Sequence, residues 1–353
     1  MNSVLEPTSI DDVVAAVRST DRLLPVGART KPRLGATAAT LLSTRRLAGI
    51  VEYQPAEYTL TARAGTPLSE IAVALAAKGQ YLPFDPPLAA AGATLGGTVA
   101  ANLAGPGRFR YGGGRDFLIG IKLVDGTGQL LTGGGKVVKN AAGFDLPKLV
   151  VGSLGRLGVL TELTFKVFPR PPATLTRCLR CASHAEALAR LAQLATSRFE
   201  ADALEYTPAD KALYVRLGGP AESNAALAAE LGGESVDEAG FWPARADFAW
   251  AQADRALVKI PTSPRSGFAL ADALEDADAH TLQLSAGGAT AYVATADPRA
   301  LDRLLQTHDL SGLVLRGDTA SLWLGTVPQR TIDAHLRKVF DPHARFPSLT
   351  AES

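Results

Sequence analysis

The sequence predicts an α+β protein of two domains followed by a short C-terminal segment, and three observations carry that expectation. Apolar residues recur at helical spacing in some stretches and alternate strictly in others. Eighteen of the 34 glycines fall between Gly92 and Gly158, about a fifth of the chain. The cluster Pro169-Arg170-Pro171-Pro172 then separates this region from one rich in Ala, Leu and acidic residues. A chain of 353 residues is long enough for two domains. The expected division is 1–172, then 173–330 as an α+β cap, with 331–353 returning to the first domain.

The elements follow in order. Ser9 and Asp12 form a capping-box pair ahead of Val13, Val14 and Val17, which predicts a helix to about Ser19. Leu23 to Val26 is a strand that ends in Gly27-Ala28-Arg29-Thr30-Lys31, where glycine frees the backbone and two cations gather. A second helix reads with Thr66 as N-cap, Pro67 at its first position, Glu70 in its first turn and Gly79 past its end. Phe117 to Val124, Asp125-Gly126-Thr127-Gly128 and Gln129 to Thr132 form a hairpin. Val159, Thr161, Leu163, Phe165 and Val167 alternate with Leu160, Glu162, Thr164 and Lys166 in one long strand. Beyond it lie a helix at Ala185 to Ala195, strands near Leu213 to Leu217 and Leu313 to Arg316, and helical periodicity at Thr331 to Phe340. No sequence repeat of fixed period is visible.

Composition excludes several classes. Lys plus Arg number 36 against 35 Asp plus Glu, so no net field steers the chain toward nucleic acid. Cys178 and Cys181 are the only cysteines, too few for a disulfide framework and consistent with the cytoplasm. The first residues carry Glu6, Asp11 and Asp12 and lack the pattern of a signal peptide. No apolar run reaches the roughly 18 residues of a membrane helix, so any membrane association is expected to run through a partner.

Glycine inside ordered structure costs about 0.5–1 kcal/mol relative to alanine, so its concentration here asks for a compensating ligand. Thr94-Leu95-Gly96-Gly97-Thr98, Gly112-Gly113-Gly114 and Gly133-Gly134-Gly135 have the character of ligand-approach loops, each with a hairpin turn as its plain alternative. Together with Gly27 to Lys31 they favour an anionic ligand. The dinucleotide pattern G-x-G-x-x-G is absent. Its nearest fragment, Gly105-Pro106-Gly107-Arg108-Phe109-Arg110, ends in Arg and contains a Pro. A Walker A loop fails as well, because Gly135-Lys136 is followed by Val137.

Pro25-Val26-Gly27-Ala28-Arg29-Thr30-Lys31 resembles the pyrophosphate loop of the PCMH-type, vanillyl-alcohol-oxidase-like flavoproteins. Asp85-Pro86-Pro87 and Ala93-Thr94-Leu95-Gly96-Gly97-Thr98-Val99-Ala100-Ala101-Asn102 continue the resemblance in order. Gly134 to Leu146 and Gly152-Ser153-Leu154-Gly155-Arg156-Leu157-Gly158-Val159 narrow it to the E-subunit family of glycolate oxidase, or glycolate dehydrogenase. The match covers about residues 1–172. It implies a PCMH-type FAD-binding domain, a small parallel α/β subdomain plus a mostly antiparallel one, with an α+β cap. It further implies that Val26, Gly27, Ala28, Arg29, Thr30 and Lys31 hold the pyrophosphate of FAD. Asp85, Pro86, Thr94, Gly96, Gly97, Thr98 and Asn102 would line the flavin and ribityl side, with Gly158 and Val159 closing over the adenine-proximal part.

The implied function is that of an FAD-binding subunit of a glycolate or D-lactate type 2-hydroxy-acid dehydrogenase. Its implied partners are a second FAD-containing subunit and an iron-sulfur subunit, since this chain has no cysteine set for a cluster. Two departures from the family pattern bear on this. All five histidines and both cysteines follow residue 172, so the flavin is expected to be non-covalent. The His-x-Gly-Asp-Gly-Asn metal motif of independent 2-hydroxy-acid dehydrogenases is missing, Gly317-Asp318 being followed by Thr319, and Phe346-Pro347-Ser348 replaces a C-terminal Asn-Pro-Gly. The alternatives are a non-catalytic structural flavin-binding subunit of the same complex and a stand-alone FAD-dependent alcohol oxidase. The catalytic base is not identified, and no metal is expected. Cys178, Cys181 and His184 lack further ligands at zinc spacing and read as packing residues near a strand start. Arg108, Arg110 and Arg115 are either anion ligands or a solvated loop, and Trp242, Trp250 and Trp323 read as packing.

Overall fold

The computed structural model describes residues 4–135, 145–275, 277–327 and 331–348, the side chains of 331–333 excepted. Its contacts divide the chain into two units. The first comprises Met1–Ala104, Gly113–Pro169 and Gln329–Ser353; the second comprises Gly105–Gly112 and Arg170–Pro328. Residues 105–112, within the expected first domain, thus cluster with the second unit.

In the first unit, helix Ile10–Ser19 carries the expected capping box, with the Asp12 N–H donating to Ser9 Oγ at 3.1 Å and the Ser9 N–H to Asp12 Oδ2 at 3.0 Å. Its Val13 and Val17 are fully buried against Leu23, Leu42, Leu47, Val124, Val159 and Phe346. Strand Leu23–Val26 pairs in parallel with Thr40–Ser43, which also pairs in parallel with Val4–Leu5. Leu23–Val26 is therefore an edge strand, where Pro25 is tolerated. The second sheet is antiparallel, in the order Ile50–Gln54, Thr59–Arg63, Val159–Lys166, Leu118–Val124, Leu130–Gly134. The hairpin is closed by Asp125, whose Oδ1 accepts from the N–H groups of Thr127 and Gln129 and from the Thr127 hydroxyl. Thr161 on the long strand is fully buried, and its hydroxyl donates to the Lys122 carbonyl at 3.0 Å.

The second helix starts one residue later than expected. Pro67 is the N-cap of Leu68–Ala76, and the Thr66 hydroxyl instead donates to the Arg63 carbonyl at 2.7 Å and accepts the Gly49 N–H at 2.9 Å. Fully buried Thr66 finds better partners in those backbone groups than in the helix end.

The second unit is built on one antiparallel sheet of nine strands. Their order is Glu234–Val236, Ala173–Arg180, Ala212–Gly219, Ala203–Thr207, His280–Ser285, Thr290–Thr295, Ala256–Pro261, Ser311–Arg316, Trp323–Gly325. Two halves, each running strand, helix, strand, strand, helix, strand, meet where Tyr206 pairs with Leu284. This structural repeat has no counterpart in sequence period. Helices His184–Ala195, Ala221–Leu231, Pro264–Leu274 and Pro298–Thr307 bury Leu191, Ala228, Phe268 and Leu301 in one core with Leu204, Tyr206, Val215, Val258, Leu284 and Val293 of the sheet. Cys178 lies near the end of its strand, not the start, and Cys181 just past it; both are free and buried, and burial pushes both thiols up. Trp242 packs as expected, with its indole N–H donating to Thr176 Oγ1 at 2.8 Å.

The helix Thr331–Phe340 precedes a segment fixed to the first unit. Buried Asp341 accepts the N–H groups of Arg345 at 2.9 Å and Phe346 at 2.8 Å, and the Leu23 N–H donates to the Arg345 carbonyl at 2.8 Å. Replacing Asp341 by Ala strands the buried Phe346 N–H and the half-buried Arg345 N–H, and the expected cost is about 2–3 kcal/mol. Denaturant unfolding followed by far-UV signal checks it; an unchanged midpoint would show that the segment contributes no stability.

Candidate functional site

The loop after strand Leu23–Val26 and the turn before helix Leu95–Ala100 build one cleft. Thr94 caps that helix, accepting the Gly97 N–H on its Oγ1 at 3.3 Å. Backbone bonds from Leu95 N to Thr66 O and from Gly96 N to Ala64 O tie the turn to the antiparallel sheet. Gly27 then approaches Thr94 so closely that a Cβ at position 27 would lie 2.2 Å from Thr94 Oγ1, and a Cβ at Gly96 would lie 2.7 Å from the Ala64 methyl. Two adjoining hollows result. The larger, about 500 Å³, is lined by Pro25 to Lys31, Leu34, Gly35, Thr94, Gly97, Ala100, Ala101 and Leu154. The smaller, about 310 Å³, shares Pro25, Val26, Gly27, Gly97 and Ala100 and adds Thr44, Ala64, Gly96, Gly155, Gly158 and Leu160.

The electrostatics of the larger hollow are those of an anion site. Arg29 holds a positive φ of 59°, which turns the backbone of the loop. Among the described residues no acceptor takes the backbone N–H of Ala28, Arg29, Thr30 or Lys31. Lys31 is buried, its ammonium donates to Thr30 Oγ1 at 3.1 Å, and no carboxylate among the described residues pairs with it. Burial lowers its pKa to about 8. A cation buried without a counter-ion, beside open amides, matches a phosphate-bearing ligand.

Of the residues singled out in the sequence, the structure brings Val26, Gly27, Ala28, Arg29, Thr30, Lys31, Thr94, Gly96, Gly97 and Gly158 to this cleft. It does not bring Asp85, Pro86, Thr98, Asn102 or Val159 to its lining. Val159 is a fully buried core residue. Asp85 and Asn102 hold positive φ values of 47° and 48° in turns, and Pro86 is half-buried beside Asp85. Thr98 is buried with its hydroxyl unpartnered among the described residues. The amides of residues 95–98 are all taken by the protein itself, so this turn offers close approach rather than free donors.

The other glycine clusters do not line these two hollows. Gly113 precedes helix Gly114–Phe117, and its N–H donates to Asp116 Oδ2 at 2.8 Å. At Gly133 and Gly134 a Cβ would strike Leu146 and the Ile119 carbonyl. Residues 136–144 of the Gly134 to Leu146 motif lie outside the described residues. Sequence reasoning gave no site role to Leu34, Ala100, Ala101, Leu154 or Gly155, although the last four stand inside the quoted motifs; small residues three positions apart, at 97 and 100 and at 152, 155 and 158, are the signal that marks Ala100 and Gly155. Arg156, 6% exposed, lines neither hollow; its Nε and Nη1 have no acceptor among the described residues, and its pKa falls to about 10 through burial and the nearby Arg337.

The second unit carries its own polar face. Side chains alternate across a strand, so the residues opposite the helix-covered core include Glu205, Tyr214, Lys259, Gln283 and Tyr292. Glu205, 1% exposed, accepts from Arg245 Nε at 2.8 Å, Ser285 Oγ at 2.6 Å and Gln283 Nε2 at 2.5 Å. Desolvation, and then the charge of Arg108, lower Lys259 to about 7. Arg110 is neutralised by Glu200 at 2.8 Å and Asp202 at 3.6 Å, and so ties the 105–112 segment to its own unit.

Residues 1–134 match the family model described as an FAD binding domain. The chain is 43% identical over 235 residues to glycolate oxidase subunit GlcE of Escherichia coli K12, a match covering 66% of each chain. It is 36% identical over 174 residues to a D-2-hydroxyglutarate dehydrogenase of Xanthomonas citri pv. viticola, covering 47% of this chain and 36% of that one. Among solved structures, an alkyldihydroxyacetonephosphate synthase superposes with a TM-score of 0.64 at 16% identity, over 97% of this chain and 76% of that one. The parallel sheet, the antiparallel sheet and the sheet of the second unit are thus a known architecture.

The cleft fits the diphosphate of FAD by the donors of its loop and by glycines that leave no room for a Cβ. Lys31 gives this fit a pH signature. A bound diphosphate raises the lowered Lys31 pKa, so binding takes up a proton above about pH 8 and weakens as pH rises. The expected dissociation constant for FAD rises by up to about tenfold per pH unit from pH 8 to 9.5 in the wild type and much less in Lys31→Met. Flavin-fluorescence titration measures both slopes; equal slopes would remove Lys31 from the diphosphate.

Proposed function

The chain belongs to the PCMH-type family of FAD-dependent oxidoreductases, and from that premise we propose that it is the FAD-binding subunit of a 2-hydroxy-acid dehydrogenase complex acting on glycolate or D-lactate. The observation that carries this reading is the cleft itself, in which a buried, carboxylate-free Lys31 and the open amides of Ala28 to Lys31 face a floor of small residues. The glycolate oxidase and D-2-hydroxyglutarate dehydrogenase names of the relatives supply the substrate class. The matches span 66% or less of those relatives.

Bound FAD supplies the two-electron acceptor for oxidation of a hydroxy acid at its C–H bond and the means to pass electrons onward. The chain's own residues do the holding. The loop amides and Lys31 neutralise the diphosphate, while Gly27, Gly96 and Gly97 let backbone approach the cofactor without a methyl in between.

Onward transfer is assigned to partners, a second FAD-containing subunit and an iron-sulfur subunit. The two cysteines of this chain are buried thiols, and a cluster needs about four. Among the described residues no helix is long and apolar enough to cross a membrane, which leaves peripheral association to those partners.

The flavin is proposed to be held without a covalent bond. The contacts place His335 and His343 in the first unit, so that unit does contain histidines, but neither they nor a cysteine lines the cleft. Acid precipitation is expected to leave all the flavin in the supernatant. In the assembled complex, anaerobic glycolate or D-lactate is expected to bleach the flavin of this subunit. A flavin-bearing peptide after digestion would contradict the first expectation. Bleaching unchanged when this subunit cannot bind FAD would make it a structural component, and oxygen-dependent turnover by the isolated chain would make it a stand-alone oxidase.

A further inference from the structure

We propose that His184, Asp272 and Glu275, all within the second unit, form a binding site for a divalent transition-metal cation of the zinc class. His184 is the first residue of helix His184–Ala195, whose N-cap Ser183 accepts the Glu186 N–H. Its ring is 3% exposed and fixed on one side, with Nδ1 2.5 Å from Tyr206 Oη and the two rings edge to face at 5.7 Å. On the other side Nε2 is fully buried and has no hydrogen-bond partner among the described residues. A buried polar nitrogen is ordinarily satisfied, so this one asks for a group that the protein atoms do not supply.

What faces it is a pair of carboxylates. Asp272 and Glu275 stand three residues apart at the end of helix Pro264–Leu274, a spacing that puts both on one face. One ligand atom from each of His184, Asp272 and Glu275 lies within 4.8 Å of the others. Nε2 is 3.9 Å from Glu275 Oε1, too long for a hydrogen bond. Zinc bonds of about 2.0–2.1 Å to nitrogen and oxygen set ligand atoms about 3.4 Å apart in a tetrahedron, so a short inward rotation of the two exposed carboxylates closes the site. Solvent then supplies the fourth ligand.

Ligation by Nε2 requires the proton on Nδ1, donated to Tyr206 Oη, the arrangement by which a second partner orients a metal-binding histidine. One imidazole with two carboxylates suits zinc better than calcium or magnesium, which take oxygen ligands only. Neither Cys178 nor Cys181 takes part in the group. Lys211 does bear on it, because its ammonium sits 2.7 Å from Glu275 Oε1 and competes with a metal for that oxygen.

The test uses the full chain, purified with its flavin, without a histidine tag and stripped with chelator, then titrated with Zn²⁺ alone and with Co²⁺ alone. The expected result is one equivalent of tightly bound zinc and a visible Co²⁺ band. Asp272→Asn and Glu275→Gln, both at exposed side chains, are expected to keep the circular dichroism of the wild type and to weaken zinc at least about tenfold each. Lys211→Met is expected to tighten it severalfold, an effect that general surface binding would not show. Zinc affinity equal in wild type and Glu275→Gln, the lack of a Co²⁺ band, or an affinity unmoved by Lys211→Met would each overturn the site.

Discussion

The approach of Gly27 to Thr94 is the contact on which the cleft depends. A single Cβ would end 2.2 Å from the threonine hydroxyl, so the loop after the edge strand can reach the turn at Thr94 only with glycine at that position. The rest of the first unit holds the two partners of this contact in place. The parallel sheet sets the loop, the backbone bonds of residues 64–68 to 93–96 set the turn, and the Asp341 cap anchors the chain end against Leu23. Desolvating Lys31 without a carboxylate is unfavourable for the folded protein alone, and an anionic ligand bound beside it would offset that cost.

The elements of the first unit were legible because their signals are local. The Ser9 and Asp12 pair, the Asp125 turn and the alternation from Val159 to Val167 each depend on residues a few positions apart. The helix boundary displaced at Thr66 came from a long-range partner: Gly49 took the hydroxyl that the cap would have used. The second unit was harder for the same reason. Its two halves share a topology held by pairing such as Tyr206 with Leu284, and that kinship leaves no period in the residues.

Site residues divide along the same line. Loop positions from Val26 to Lys31 and the glycines at 96, 97 and 158 were readable as a motif, and they meet at the cleft. Val159 follows Gly158 in the motif but alternates into the core, a distinction that strand geometry decides. Leu34, Ala101 and Leu154 are ordinary small or apolar residues whose place in the lining only the fold reveals. His184 shows the reverse: sequence proximity associates it with Cys178 and Cys181, whereas the fold sets it against Asp272 and Glu275 on another helix.

The central claim is that the small-residue floor of the cleft receives the flavin cofactor, and Gly97 tests it most directly. Gly97 lines both hollows, and the nearest atom to a Cβ there is Thr94 Oγ1 at 3.0 Å, so a methyl is accommodated with a slight shift while a longer side chain must enter the cleft. Flavin content of purified Gly97→Ala and Gly97→Leu, alongside their unfolding midpoints without FAD, is the measurement. The account predicts a yellow alanine variant and a folded but colourless leucine variant. A leucine variant that stays yellow with wild-type affinity would contradict it.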